Sequence, residues 1–413
     1  MSKSILIIYP HWPPSNLVGV HRVRLIANNL ANHGWRPTVL TVHEDFYEEP
    51  GSPESVKLVN DTVEVVKVRA RKSWALLGQR MVGDIGLRAF RTLKQEALQL
   101  CHKRPFEFVW ISMPSWYPSL LGEFILKQTG IPFGIDYQDP WIHPLPEDKQ
   151  SWSRAALAQK LARLLEPRAL RHAALITGIN RQYFQGALER NPELKPHTAE
   201  FQLGFDAADH KVDHPTETPW PKDKVVALYP GAFLPLSAPF HRAILTAFKS
   251  VASRGELPEG ALMVYIGTGR SDRPVHEMAS ELGIADRVIE LPERIPYLEI
   301  QQLLRSVQGC MVIGSPEPHY SASKVFQSIL SGRPIFSLLH RDSEALNILR
   351  DCQCGSFSVG FAQNLDIQSQ LEDALKGFWN CTEWNPFTDA LEPHSASNAA
   401  ATLSAAMHHC LTS

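Results

Sequence analysis

Residues 313–339 read IGSPEPHYSASKVFQSILSGRPIFSLL, and the reading of this stretch decides the fold. An apolar run ends at Ile313, Pro316 and Pro318 turn the chain, and a short helix is predicted from about Ser323. Gly332 is the expected helix terminator, and Arg333-Pro334 blocks continuation. Residues 335–339 then read as a buried strand. A strand–loop–helix unit of this kind leaves backbone N–H groups unpaired at the helix N-terminus, where they and the local dipole suit a phosphate. Lys324 in the first turn adds a full positive charge, and Gln327 lies one turn along on the same face. On these residues alone two readings stand: a cradle for a diphosphate-sugar, or an ordinary βαβ unit with a solvent lysine.

The rest of the chain repeats the alternation. Residues 4–9 (SILIIY) read as a buried parallel strand, the loop to Gly19 follows, and a helix from Val20 to about His33 ends at Gly34. Residues 36–42 are the next strand. Further strands are predicted at 108–112, 133–137, 174–178, 225–229, 262–266, 288–291, 310–313 and 355–359, with helices between them. This is a doubly wound α/β pattern, which binds ligands at the carboxyl edge of its sheet. The first loop holds one glycine, Gly19, and no GxGxxG dinucleotide fingerprint. Residues 56–69 read as a strand pair or a strand plus edge, and 153–172 as a long helix broken or kinked at Pro167. Asp136 and Asp139 lie just past a strand, where a carboxylate can serve as a base or anchor for an acceptor hydroxyl; Asp139-Pro140 is equally a common turn start.

A chain of 413 residues is too long for one core and fits two domains. The boundaries read as a first domain over 1–206, a proline-rich linker over 207–222, a second domain over 223–392 and a helix over 393–413 that packs back toward the first domain. Two doubly wound, Rossmann-like halves imply a cleft between facing carboxyl edges. A formal charge of −2 argues against bulk nucleic-acid binding. Six cysteines without paired spacing fit a reducing cytoplasm, and no stretch approaches the length of a membrane span. From residue 69 to 104, nine Lys/Arg face only Asp84 and Glu96, with apolar residues interleaved. Such a segment is either a core-facing helix with a solvated basic side or a docking face for an anionic membrane or acceptor.

In this order along the chain, several segments resemble the retaining glycosyltransferases of family 4, which have the GT-B fold. They are PHWPPSNLVGVHRVRLIANNLANHGWRPTVLT (10–41), GIDYQDPW (134–141), ALITGINRQYFQGAL (174–188), FQLGFD (201–206), MVYIGTGRSD (263–272), RVIELPERIPYLEI (287–300) and SASKVFQSILSGRPIF (321–336). Each piece is weak, and their joint order is specific. The resemblance implies metal-independent sugar transfer, with retention, from a nucleoside-diphosphate sugar to a saccharide or lipid-linked acceptor, in cytoplasmic or peripheral-membrane polysaccharide synthesis. It implies that Gly19 lies against the donor diphosphate, that Gly231 opens the first donor-domain loop, and that Gly267 and Gly269 line the nucleotide pocket. The loop carrying Glu293 would face the base, Lys324 would hold a phosphate, and Gln327 would reach the ribose. Ser323 and His319 fall in the same donor set, and the acceptor hydroxyl would enter near Asp139. No cofactor or metal is expected. The sequence departs from the family where two glutamates eight apart are common, for it has His319 and Gln327 there. The family's Arg and Lys after Gly231 are also missing, which leaves Arg242 as a candidate replacement. These departures motivate an alternative: a GT-B protein that binds nucleotide or glycan without turnover.

Overall fold

The computed structural model describes the chain except residues 1, 50, 74, 77–78, 81–82, 144–152, 203, 318–323, 364–365 and 413. It divides into two compact units, Met1–Asp206 with His394–Ser413, and Ala207–Pro393.

Unit 1 contains the strands β1 (Lys3–Ile8), β2 (Trp35–Val42), β3 (Glu64–Val68), β6 (Phe108–Ser112), β7 (Phe133–Tyr137), β8 (Leu175–Gly178) and β9 (His197–Glu200). A small antiparallel pair, β4 (Ala75–Leu76) and β5 (Gln79–Arg80), stands apart from them. The seven-stranded sheet runs β3-β2-β1-β6-β7-β8-β9, and every pairing is parallel. Its helices are α1 (Val18–Leu30), α2 (Ile85–Arg88), α3 (Phe90–Lys103), α4 (Leu121–Thr129), α5 (Arg154–Leu170) and α6 (Gln182–Arg190). Unit 2 contains β10 (Val225–Pro230), β11 (Ala261–Ile266), β12 (Val288–Leu291), β13 (Gly309–Ile313), β14 (Ile335–His340) and β15 (Phe357–Phe361) in the order β12-β11-β10-β13-β14-β15, again all parallel. Its helices are α7 (Ala238–Ser253), α8 (Pro274–Glu281), α9 (Tyr297–Ser306), α10 (Lys324–Leu330), α11 (Glu344–Asp351) and α12 (Gln368–Trp379); α13 (Ala396–Thr412) then returns to unit 1.

The strands form where the sequence has short apolar runs, because a parallel sheet covered on both faces buries successive side chains alternately up and down. Ile5, Leu6, Ile7 and Ile8 are all fully buried: Leu6 and Ile8 enter one core with Leu93, Ile125 and Ala162, while Ile5 and Ile7 enter the other with Val23 and Leu403. That second core needs the end of the chain. Ala399, Ala400, Leu403 and Met407 of α13 fill it, Trp35 Nε1 donates to Ser404 Oγ at 3.0 Å, and Ala396 N donates to Phe205 O at 2.7 Å. In unit 2, Gly332 closes α10 with φ 69°, so β14 begins three residues later.

The structure sharpens four readings of the sequence. Residues 56–69 hold one edge strand, β3; their first part completes a 3-10 helix, Pro53–Leu58. The helix α5 runs through Pro167 unbroken. The segment read as a linker is held down, since Arg305 Nη1 donates to His210 O and Gln302 Nε2 to Val212 O. The basic face of 69–104 is partly turned inward. Arg88 is buried, donates to the carbonyls of Arg71 and Phe46 and pairs with Glu48 at 3.2 Å; Lys94 sits 3.5 Å over the Phe124 ring, and Arg104 pairs with Glu64.

One buried ion pair joins the layers of unit 1. Arg22 of α1 donates through Nε and Nη2 to both oxygens of Asp136 on β7, at 3.0 and 2.9 Å, and both residues are fully buried. Replacing Asp136 with Ala strands the guanidinium and should lower unfolding stability by roughly 3–5 kcal/mol. Denaturant melts of wild type and Asp136→Ala check this.

Candidate functional site

In each sheet the strand order reverses once, between β1 and β6 and between β10 and β13. Helices wound in opposite senses leave a crevice at the carboxyl ends of those strands, which is where such sheets bind ligands. In unit 2 the loops leaving β10, β11 and β12 are laced together there by main-chain bonds. Gly231 N donates to Ile266 O at 3.0 Å, Phe233 N to Thr268 O at 2.9 Å, Gly267 N to Leu291 O at 2.8 Å and Gly269 N to Pro292 O at 2.9 Å. Gly267 and Gly269 have φ of 76° and 69°, a region that L side chains rarely occupy. Beneath this edge His241, on α7, is buried between Tyr229, Phe233 and Tyr265; burial lowers its pKa to about 3, so the ring is neutral.

Lys324 opens α10 on the other side of the reversal. Its side chain is open to solvent but closely surrounded, and its ammonium pKa is lowered, first by desolvation and second by the positive charge of Arg294. Arg294, which the sequence reading did not select as a cation, thus joins Lys324 from the loop after β12. One turn along α10, Gln327 carries a buried Oε1 that finds no hydrogen-bond partner among the described residues. A buried acceptor of this kind is costly unless something donates to it. Glu293 is exposed in the same loop as Arg294. Arg242 does not join this group: its guanidinium pairs with Glu281 of α8 at 2.8 Å on the surface. Ser323 and His319 lie outside the described residues.

In unit 1 the corresponding edge is a side-chain network. Asp136 accepts from Ser112 Oγ at 2.8 Å and Thr177 Oγ1 at 2.8 Å as well as from Arg22, and Gln138 Nε2 donates to Ser112 Oγ at 2.8 Å and Gly19 O at 3.3 Å. Of the two carboxylates in DYQD, Asp136 is therefore committed to the fold. Asp139 is exposed, and desolvation raises its pKa against the opposing effect of His143. Gly19 is the second residue of α1, pressed against protein: a Cβ there would lie 2.4 Å from Tyr9 Oη and 2.9 Å from Gln138 Oε1. Beside Asp139 opens a cavity of about 220 Å³ lined by Tyr137, Trp141, His143, Tyr183 and Arg190, among others.

Two doubly wound parallel sheets with ligand edges of this kind define the GT-B class, and the chain has that fold. Residues 19–196 match the model of the glycosyl transferase 4-like domain. Among solved structures, the chain is similar to HepE of Anabaena, determined with UDP-glucose, at 15% identity and TM-score 0.54 over 98% of this chain and 99% of that one. It is also similar to sucrose-phosphate synthase from Thermosynechococcus elongatus, at 14% identity and TM-score 0.51 over 99% and 94%. A UDP-N-acetylglucosamine 2-epimerase described as putative, from Listeria monocytogenes, aligns at 12% identity and TM-score 0.50 over 97% and 94%. No curated protein matches the sequence.

The crowding at Gly19 gives a direct test. Gly19→Ala should destabilise the protein by about 1–3 kcal/mol, and removal of the opposing hydroxyl in Gly19→Ala/Tyr9→Phe should recover part of the loss. A thermal melt of the two variants checks both expectations.

Proposed function

We propose that the protein is a retaining glycosyltransferase that moves a sugar from a nucleoside-diphosphate sugar to a saccharide or lipid-linked acceptor in cell-surface polysaccharide or glycoconjugate synthesis. The observation that carries this is that α10 sets Lys324 one turn from Gln327, whose buried oxygen has no partner among the described residues. A diphosphate offers charge to the first and a ribose hydroxyl offers a donor to the second. UDP-glucose and UDP in the two HepE complexes make a uridine nucleotide the first donor to try.

In this reading unit 2 takes the donor and unit 1 the acceptor. The sugar's bond to the diphosphate oxygen breaks, the acceptor hydroxyl oxygen takes the sugar carbon, and the hydroxyl proton leaves to a base. Lys324 and Arg294 meet the charge that grows on the departing diphosphate, which requires no metal. Asp139, with its raised pKa, is the carboxylate assigned to the acceptor hydroxyl. The main-chain lacing of Gly231, Gly267 and Gly269 keeps the donor floor rigid, so charge stabilisation costs little reorganisation.

Lys324→Ala should lower transfer by roughly 10²–10³-fold and remove most of the thermal stabilisation given by UDP. Transfer at the wild-type rate in that variant overturns the assignment. Interconversion of a UDP-sugar with no acceptor present replaces transfer with epimerisation, and UDP binding without any turnover replaces it with a binding role. Because Lys324 titrates below the ordinary lysine range, its charge is lost as pH rises through that lowered value. UDP affinity should therefore fall toward alkaline pH earlier than an unperturbed lysine allows, and Lys324→Ala should lack this limb in a titration by calorimetry.

A further inference from the structure

The helix α5 is apolar on two sides. Inward it buries Ala156, Ala162, Ala169 and Leu170, and its buried Gln159 holds the segment after Asp139 by donating to Trp141 O at 3.3 Å and accepting from His143 N at 3.2 Å. Outward it shows Leu157, Leu161 and Leu164, which are 56%, 42% and 67% exposed. Their spacing of i, i+4 and i+7 sets the three leucines in one stripe along the helix, and Arg168 falls on the same stripe at i+11. Lone exposed leucines need no explanation, but three in register on one helix do.

Along α5 itself the exposed charge has one sign. Arg163, Arg168 and Arg171 are exposed, and the sole carboxylate between residues 154 and 172, Glu166, is buried and paired with Arg190 at 2.9 Å. A leucine ridge flanked on its own helix by exposed arginines, with no exposed acid on that helix, is complementary to a surface that is negative outside and apolar just beneath. Among the described residues no helix is long and apolar enough to cross a membrane, so such a contact would be peripheral.

We infer that the outer face of α5 docks on an anionic lipid bilayer, with Leu157, Leu161 and Leu164 entering the headgroup boundary and Arg163 and Arg168 meeting lipid phosphates. The basic segment 69–104 is the weaker candidate, because Arg88, Lys94 and Arg104 are engaged within the protein. The inference does not depend on the transferase reading. If both hold, Gln159 ties the docked helix to the segment beside Asp139 and brings the acceptor side of unit 1 to the lipid surface.

The test is co-sedimentation of the full chain with vesicles of phosphatidylglycerol and phosphatidylcholine in equal parts, at about 100 mM salt. Wild type should bind these vesicles and bind pure phosphatidylcholine far less. Leu157→Ser/Leu161→Ser/Leu164→Ser should weaken binding at least about tenfold. Arg163→Gln/Arg168→Gln should weaken it severalfold and flatten its salt dependence. Because these side chains are exposed, unchanged thermal melts are expected and serve as the folding control. Binding of the leucine variant at the wild-type level overturns the inference. So does failure of wild type to sediment, including the case in which wild type self-associates through this face and the leucine variant is monomeric.

Discussion

The contact on which unit 1 depends is the Arg22–Asp136 pair. Taking two charges out of water costs several kcal/mol per ion, and a bare pair does not recover that cost. Here every carboxylate oxygen accepts twice: Oδ1 from Arg22 and Thr177, Oδ2 from Arg22 and Ser112. The guanidinium spends its remaining Nη1 donor on Phe201 O and Gln202 O and lies 4.3 Å from the Phe201 ring centroid. The pair thereby ties α1 to three adjacent strands and to the chain beyond β9. The start of α1, with Gly19 against Tyr9 and Gln138, is held by the same network, so the geometry of the first loop follows from a charge buried below it.

Unit 2 reaches a comparable edge by other means. Its loops are held by main-chain bonds, with Gly267 and Gly269 at positive φ and a neutral, buried His241 packed beneath. Lys324 and Arg294 lie close enough for one positive charge to weaken the other, and Gln327 Oε1 has no partner among the described residues. Arg242 is already neutralised by Glu281.

How much of this was legible follows from where the determining information sits. Strands such as β6 and β7 could be read to the residue because burial on both faces favours short apolar runs, and the edge strand β12 because Val288, Ile289 and Leu291 mark it. The edge strand β9 could not, since His197-Thr-Ala-Glu200 carries no apolar run, and residues 360–394, which hold α12, received no assignment. The strand order, and hence the reversal that places Gly231 and Lys324 on either side of one crevice, is a property of the packed sheets alone. Charge counting could not place Arg88, because a count does not say whether a guanidinium faces solvent or a cage of carbonyls. The sequence shows Gly19 as the lone glycine of the first loop, but its neighbours, Tyr9 and Gln138, come from two strand ends far apart in sequence.

The return of α13 has a consequence for how the protein is made. The cavity that Ala400, Leu403 and Met407 fill against α1 stays open to water until the whole of unit 2 has been translated. At ordinary ribosome speeds this is a delay of roughly ten to forty seconds. For that interval the nascent amino-terminal half exposes one greasy flank of its sheet, which the last helix then covers.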